Sequence, residues 1–155
     1  MKECTMCRIF DKLESDEKDW LIAELKTGYA VISKRWQYFR GYTLFVCKEC
    51  VGELDELPLA YRKEHLFEMS VVAEAVNLAF APSKLNYELL GNDCRHIHWH
   101  IIPRYGTDPE PTHAIWTIDR EIFDTTWIEN DEAALLRDCV RRELLPLMEK
   151  YDIKL

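Results

Sequence analysis

The chain has 155 residues, 48% of them hydrophobic, and a formal net charge of -8. That is the size of one domain with apolar content enough for a proper core, and the acidic balance excludes a general nucleic-acid or membrane-surface binder. The polar start Met1-Lys2-Glu3-Cys4 gives no sign of a secretory signal, and no segment reaches the ~20 apolar residues a membrane span needs, so a cytoplasmic protein is expected, whose six cysteines serve as thiols or metal ligands rather than disulfides.

In chain order, residues 1–18 read as a charged, irregular segment that carries Cys4-Thr5-Met6-Cys7. A hairpin follows: Trp20–Glu24 and Tyr29–Ile32 flank a turn at Lys26-Thr27-Gly28. Gly41–Cys47 is a further strand, and the acidic run Glu53–Glu56 a solvated approach to a helix. Pro58 suits the first turn of that helix, which runs to about Phe80 with Leu66, Met69, Ala73, Val76 and Phe80 as its core face. Beyond Pro82-Ser83, Lys84–Leu90 is a strand, Gly91-Asn92-Asp93 a turn, and His96–Ile102 the answering strand. The chain is then loop-like to about Thr126, and a final helix spans about Asp131–Tyr151, with Leu136, Val140, Leu144, Leu147 and Tyr151 on one side and a kink at Pro146. Strands interrupted by a helix predict an α+β fold with an antiparallel sheet of about five strands.

The run His96-Ile97-His98-Trp99-His100-Ile101-Ile102 holds three of the five histidines. Alternation places the three imidazoles on one face of a strand and Ile97, Trp99 and Ile101 on the other. Three readings compete. The row could be an idle surface face. It could be a metal site, although residues i, i+2 and i+4 span about 13 Å at about 3.3 Å per residue. Or it could act at phosphorus, where a neutral imidazole attacks a phosphoryl group and its neighbours donate hydrogen bonds to the oxygens. Two further patterns are visible in the cysteines. Cys4-x-x-Cys7 and Cys47-x-x-Cys50 together would make a tetrahedral zinc site, but Cys47 ends a strand and can equally face the core. Cys94 and Cys139 have no partner pattern, while His65 and His113 read as surface residues.

The motif His-φ-His-φ-His-φ-φ, with φ hydrophobic, is matched at every position, and on it the chain resembles the histidine-triad (HIT) family of nucleotide hydrolases and transferases. Lys84–Asn92 and Pro103-Arg104-Tyr105 look like the bacterial branch described as diadenosine-polyphosphate hydrolases, and Gly41–Val46 with Glu53-Leu54 fits the family's hairpin-to-helix region. The resemblance covers about Trp20 to Arg104. It implies a HIT-like fold in one domain, with residues 1–18 as a zinc-binding segment and 105–155 as a C-terminal extension. It also implies a nucleotide hydrolase that cleaves a phosphoanhydride or phosphoramidate at the α-phosphate and releases a nucleoside monophosphate; a nucleotidyl transferase or phosphorylase, or a nucleotide-binding regulatory protein, are the alternatives. By the same resemblance His98 attacks phosphorus, His100 contacts the α-phosphate or bridging oxygen, His96 completes the catalytic row, and Asn92, Asn86 and Arg104 bind substrate; the rival readings are a strand residue outside the site for Asn86 and a salt bridge holding the loop for Arg104. Asp93 stands where many relatives carry a small hydroxyl or apolar residue; a carboxylate there is expected either to turn to solvent or to alter substrate preference. Tyr42 stands near a family histidine that supports the nucleophile. In zinc-bearing relatives an N-terminal Cys-x-x-Cys joins the Cys50 position and the first histidine, which implies a structural zinc on Cys4, Cys7, Cys50 and His96, against Cys4, Cys7, Cys47 and Cys50 as the rival set. The chemistry itself needs no metal, and a homodimer with a small-molecule nucleotide substrate is expected.

Overall fold

The computed structural model describes residues 4–8, 10, 18–124 and 126–154; of the irregular segment expected over 1–18, positions 1–3, 9 and 11–17 lie outside them. Five strands form one antiparallel sheet: β1 (Leu21–Glu24), β2 (Gly28–Ile32), β3 (Thr43–Cys47), β4 (Lys84–Glu88) and β5 (His98–Arg104), in the order β1-β2-β3-β5-β4. Two long helices, α1 (Leu59–Phe80) and α2 (Asn130–Lys150), complete the α+β architecture. Among the described residues no helix is long and apolar enough to cross a membrane.

The β1–β2 hairpin pairs Leu21 with Val31 and Glu24 with Tyr29, with a bulge between Leu21 and Ala23. Gly41 has φ +91°, and the Phe80 ring occupies the space a Cβ would need, so the entry to β3 requires glycine. Pro58 precedes α1, which ends at Ala81 in the left-handed region (φ 44°), just before Pro82.

β5 begins at His98 and continues through Arg104, two residues later than the alternation suggests at each end. The shift has a local cause: the His96 amide donates to the Cys94 carbonyl at 2.8 Å, and the Ile97 amide donates to Val51 rather than into a ladder. Pro103 is tolerated near the strand end because β3 stops opposite Ile101; the missing N–H points to that vacated side.

Ile101 packs under the helices in the main core with Ile22, Phe45, Val72, Val76, Leu136, Val140 and Leu144. The opposite face of β5 carries His98 and His100, and a second cluster of Phe39, Tyr42, Ile102, Ile115 and Ile118 lies farther along it. The stretch expected to be loop up to Thr126 contains a 3-10 turn at Ile115–Thr117 and one helical turn at Arg120–Phe123.

The α1 face differs from the apolar periodicity. Leu66 is exposed, while His65 and Glu68 are fully buried, so His65 is not the surface residue expected. A chain of hydrogen bonds explains the inversion. Trp99 Nε1–H donates to His65 Nε2 at 3.2 Å, which leaves Nδ1–H to donate to Thr27 Oγ1, also at 3.2 Å. The Thr27 hydroxyl donates in turn to Glu68, whose carboxylate also accepts from the amides of Lys26 (3.1 Å) and Thr27 (2.9 Å). Every buried polar atom in this relay finds a partner, and Trp99, half-buried rather than core, is tied to α1 and the β1–β2 turn.

Burial lowers His65 from its ordinary value to about 4. An unfolded histidine titrates near 6.5, so between about pH 6.5 and 4 the unfolded chain binds more protons than the folded one. Stability from this group is therefore complete above pH 6.5 and falls as the pH drops. Urea unfolding at pH 7 and pH 5 should show a loss of about 2 kcal/mol attributable to His65, measured as the difference in pH dependence between the native protein and His65→Asn. Equal pH dependence of the two would refute it.

Candidate active site and cysteine–histidine cluster

β5 pairs with β3 so that His98 stands opposite Val46 and His100 opposite Leu44. The two rings lie 4.9 Å apart between centroids, inclined at 68°. They floor a cavity of about 610 Å³, within the ~300–1,000 Å³ typical of small-molecule sites. Asn92 and Asp93 stand at one side of the cavity, both exposed, and Arg35, Trp36, Trp116 and Arg120 at others. Asp93 is thus both solvent-exposed and part of the lining.

Each histidine has a defined tautomer. His98 Nδ1 lies 2.5 Å from the His96 carbonyl oxygen, which can only accept, so Nδ1 carries the proton and Nε2 keeps its lone pair. The His100 Nδ1 lies 2.6 Å from the Tyr42 hydroxyl, which is fully buried. That hydroxyl has no other acceptor among the described residues, so it donates, and His100 bears its proton on Nε2. Burial lowers both imidazoles, His100 to about 4 with help from the neighbouring His98, and His98 because burial outweighs the opposing hydrogen bond to the His96 carbonyl. Both rings are therefore neutral at pH 7, one a base with a free lone pair and the other a donor. Burial, with Glu88 nearby, pushes the Tyr42 phenol well above its usual value and keeps it protonated. The supporting tyrosine thus acts on His100, not on His98.

The His96 ring does not share the cavity. Its Nε2 donates to the Cys47 carbonyl at 2.8 Å, and its Nδ1 faces the thiols of Cys4 (3.4 Å) and Cys7 (3.7 Å). Its bearing on the cavity runs through its backbone carbonyl. One ligand atom each from Cys4, Cys7, Cys50 and His96 falls within 4.8 Å of every other. Zinc bonds of about 2.3 Å to sulfur and 2.0 Å to nitrogen imply tetrahedral edges of roughly 3.5–3.8 Å, so the donor set fits, and the Nε2–H···O=C bond is the support a metal-ligating imidazole takes. The cluster could hold zinc. Cys47 is not part of it; its side chain is buried beside Leu57 and Ile97, with the Tyr61 hydroxyl 3.9 Å from its sulfur. Burial raises the Cys4 thiol, but hydrogen bonds from the Cys7 amide and thiol, the Met6 amide and His96 together outweigh it and bring Cys4 to about 6; burial and the Cys50 and Cys4 thiols push Cys7 up to about 12. Without a cation the crowded sulfurs thus share little negative charge, and metal binding would release protons. Cys94 is drawn in beside them, its sulfur 3.9 Å from that of Cys4.

Asn86 and Arg104 do not line the cavity. Both lie on the histidine face, but Arg104 is buried under the 105–118 segment, paired with Asp108 at 2.9 Å. It also donates to the carbonyl of His113 (2.5 Å) and to Asn86 Oδ1 (3.3 Å). Pairing inside a closed segment, not substrate contact, satisfies this guanidinium. Trp116, Trp36, Arg35 and Arg120 escaped the sequence reading, since they reach the cavity through long-range packing. The Arg35 guanidinium pairs with Asp124 at 3.0 Å and sits 4.9 Å from the Trp36 ring centroid, while Trp36 Nε1 donates to the same carboxylate at 2.6 Å.

The HIT domain family model matches residues 17–107. The chain is 26% identical over 106 residues to "Protein hit" of Bacillus subtilis, covering 65% of this chain and 72% of that protein. Among solved structures, a hypothetical histidine triad nucleotide-binding protein from Sulfolobus tokodaii aligns with a TM-score of 0.71 at 20% identity over 95% of each chain. A zinc-bound histidine triad family protein from Mycobacterium smegmatis aligns at 0.64 and 18% identity, over 96% of this chain and 97% of the other. These likenesses show a shared five-stranded fold. With the family model matching more than half of its length, the chain belongs to the HIT domain family, whose membership suggests nucleotide hydrolysis, nucleotidyl transfer or nucleotide binding.

Proposed function

We propose that this protein hydrolyses a nucleotide phosphoanhydride or phosphoramidate at the α-phosphorus through a nucleotidyl-His98 intermediate. One observation carries the reading: a neutral imidazole, its Nδ1–H fixed on the His96 carbonyl, holds an unshared Nε2 at the floor of a nucleotide-sized cavity. In the first step Nε2 forms a bond to phosphorus while the bond to the leaving group breaks, its electron pair departing with that group. The positive charge on the substituted ring is eased by the carbonyl at Nδ1–H, and His100 Nε2–H donates to a phosphoryl oxygen or the leaving atom. In the second step water bonds to phosphorus, the P–N electrons return to Nε2, and the proton of water passes to solvent. The finer likeness to diadenosine-polyphosphate hydrolases rests on Lys84–Asn92 and Pro103–Tyr105 alone.

The same reading assigns a structural zinc to Cys4, Cys7, Cys50 and His96, supported by the fit of their donor atoms. Bound there, the ion supplies a charge and a crosslink, and no proton transfer or bond to phosphorus depends on it.

Quenching turnover with acid-free denaturant and measuring the intact mass tests the reading. An adduct of one nucleoside monophosphoryl group on the β5 peptide is expected; turnover with no adduct at any quench time would reject the covalent route. Tyr42→Phe tests the second imidazole. Removing the hydroxyl that donates to His100 Nδ1 lets the ring populate both tautomers, and kcat should fall about tenfold, the worth of one buried hydrogen bond. An unchanged kcat would separate Tyr42 from catalysis.

A further inference from the structure

The thiol of Cys94 has no part in the displacement at His98 and lies outside the four-ligand group, yet its sulfur stands 3.9 Å from that of Cys4. The same residue, half-buried, lines the cavity over His98 beside the exposed Asn92 and Asp93. Its backbone sits in the bend between β4 and β5, where its carbonyl holds the His96 amide at 2.8 Å. Cys94 therefore stands where the cavity and the sulfur cluster meet.

A disulfide has its sulfurs ~2.05 Å apart, so Cys94 and Cys4 need to approach by about 2 Å, and neither residue is fixed in a sheet ladder. With a metal bound, Cys4, Cys7 and Cys50 each share a lone pair with it, which weakens them as nucleophiles. Cys94 keeps its own, and an oxidant entering the cavity meets it first. We propose that Cys94 and Cys4 are a peroxide-responsive pair: a hydroperoxide oxidises Cys94, Cys4 closes on it as a disulfide, and the four-ligand group is dismantled. This rests on the zinc assigned above to that group.

In the first step the Cys94 sulfur bonds to one peroxide oxygen, the O–O bond breaks, and the other oxygen leaves as water or an alcohol, giving a sulfenic acid. In the second the Cys4 sulfur bonds to the Cys94 sulfur, the S–O bond breaks, and the oxygen leaves as water. Its proton comes from the Cys4 thiol or, where Cys4 had none, from solvent. Two electrons pass from the sulfurs to the hydroperoxide. Cys7, Cys50 and His96 then remain as three donors, one short of a closed zinc site.

The consequence reaches the active site through residues 4–8. Met6 lines the cavity over His98, and Thr5, Met6 and Arg8 line an adjoining one of about 680 Å³, walled further by Trp20 and Trp127. Ser33, Arg35 and Leu44 belong to both. Oxidation thus exchanges a multidentate anchor of this shared wall for a single covalent tether.

The experiment treats the native zinc-loaded protein with hydrogen peroxide, follows free zinc with a chromogenic chelator, then alkylates and digests with trypsin. Residues 3–8 and 85–95 are tryptic peptides that each carry part of the pair. They should appear joined, with fragmentation placing the bond between Cys4 and Cys94, and zinc should leave in step with the crosslink. A thiol reductant with added zinc should reverse both. Cys94→Ser should hold its zinc before oxidation and release it about tenfold more slowly under peroxide, since only metal-engaged sulfurs remain to react. A bond between Cys4 and Cys7, or between Cys7 and Cys50, with Cys94 still open to alkylation, would overturn the pairing. So would equal release rates in the native protein and Cys94→Ser. A native protein that holds no zinc would overturn the metal assignment, and the peptide map of the same sample would still decide whether Cys94 closes on Cys4.

Discussion

His98→Ala is expected to remove turnover by a factor of at least about 10³ and to abolish the covalent adduct. Under the proposed mechanism the variant deletes the attacking nitrogen, and neither of the other two imidazoles of the row is placed to replace it. His100 is neutral, but its Nδ1 is engaged by Tyr42 and its Nε2 carries the proton. His96 is turned toward the thiols with its own Nε2 bound to Cys47. Nucleotide binding should persist, because both cavities remain. His98→Gln separates volume from nucleophilicity: it fills the site without supplying the attacking nitrogen, and should be as inactive as the alanine variant. Residual hydrolysis within about tenfold of native in either variant, a far smaller loss than nucleophile removal brings, would remove His98 from the bond-making role. Equilibrium titration with a nucleoside monophosphate, unaltered by the substitution, would show that the fold is intact.

The second large effect is on the metal. The native protein should contain about one zinc per chain, the stoichiometry of a closed four-ligand site, and Cys7→Ser or Cys50→Ser should reduce it to near none. Metal binding energy at such sites is also folding energy. Chelation should therefore lower the thermal midpoint and expose residues 4–8 to protease. Cys47→Ser, a buried thiol outside the cluster, should keep its zinc; if it loses the metal while Cys50→Ser retains it, the ligand set is the wrong one. Cys94→Ser gives a further control, since its sulfur is near Cys4 but outside the four-ligand group.

The strands, the two helices and the pairing of the histidine strand with the strand before it are legible in the sequence because alternation, turn residues and helical spacing are local patterns; its pairing with β3 carries no such signal. The limits are equally specific. Two-residue periodicity places His96 with His98 and His100, yet the backbone bends before β5 begins, and the His96 ring goes to the thiols. Apolar spacing assigned Leu66 to the core and His65 to the surface; the reverse holds because Thr27, Glu68 and Trp99 satisfy the buried imidazole, and those partners come from three distant segments. Arg104, adjacent to the motif, reads as a phosphate ligand, but a buried carboxylate four residues on claims it. Arg35, Trp116 and Arg120 carry no local signal at all. They reach the cavity because the Trp36 indole and Arg35 bond to Asp124, and the Ile128 amide bonds to Lys34.

Trp116, Arg120 and Trp127 all lie after residue 107, where the family match ends. Part of the enclosure above His98 is therefore written in a different stretch of polypeptide from β5. Substitutions in the later stretch can reshape one wall of the cavity without touching the strand that carries His98 and His100.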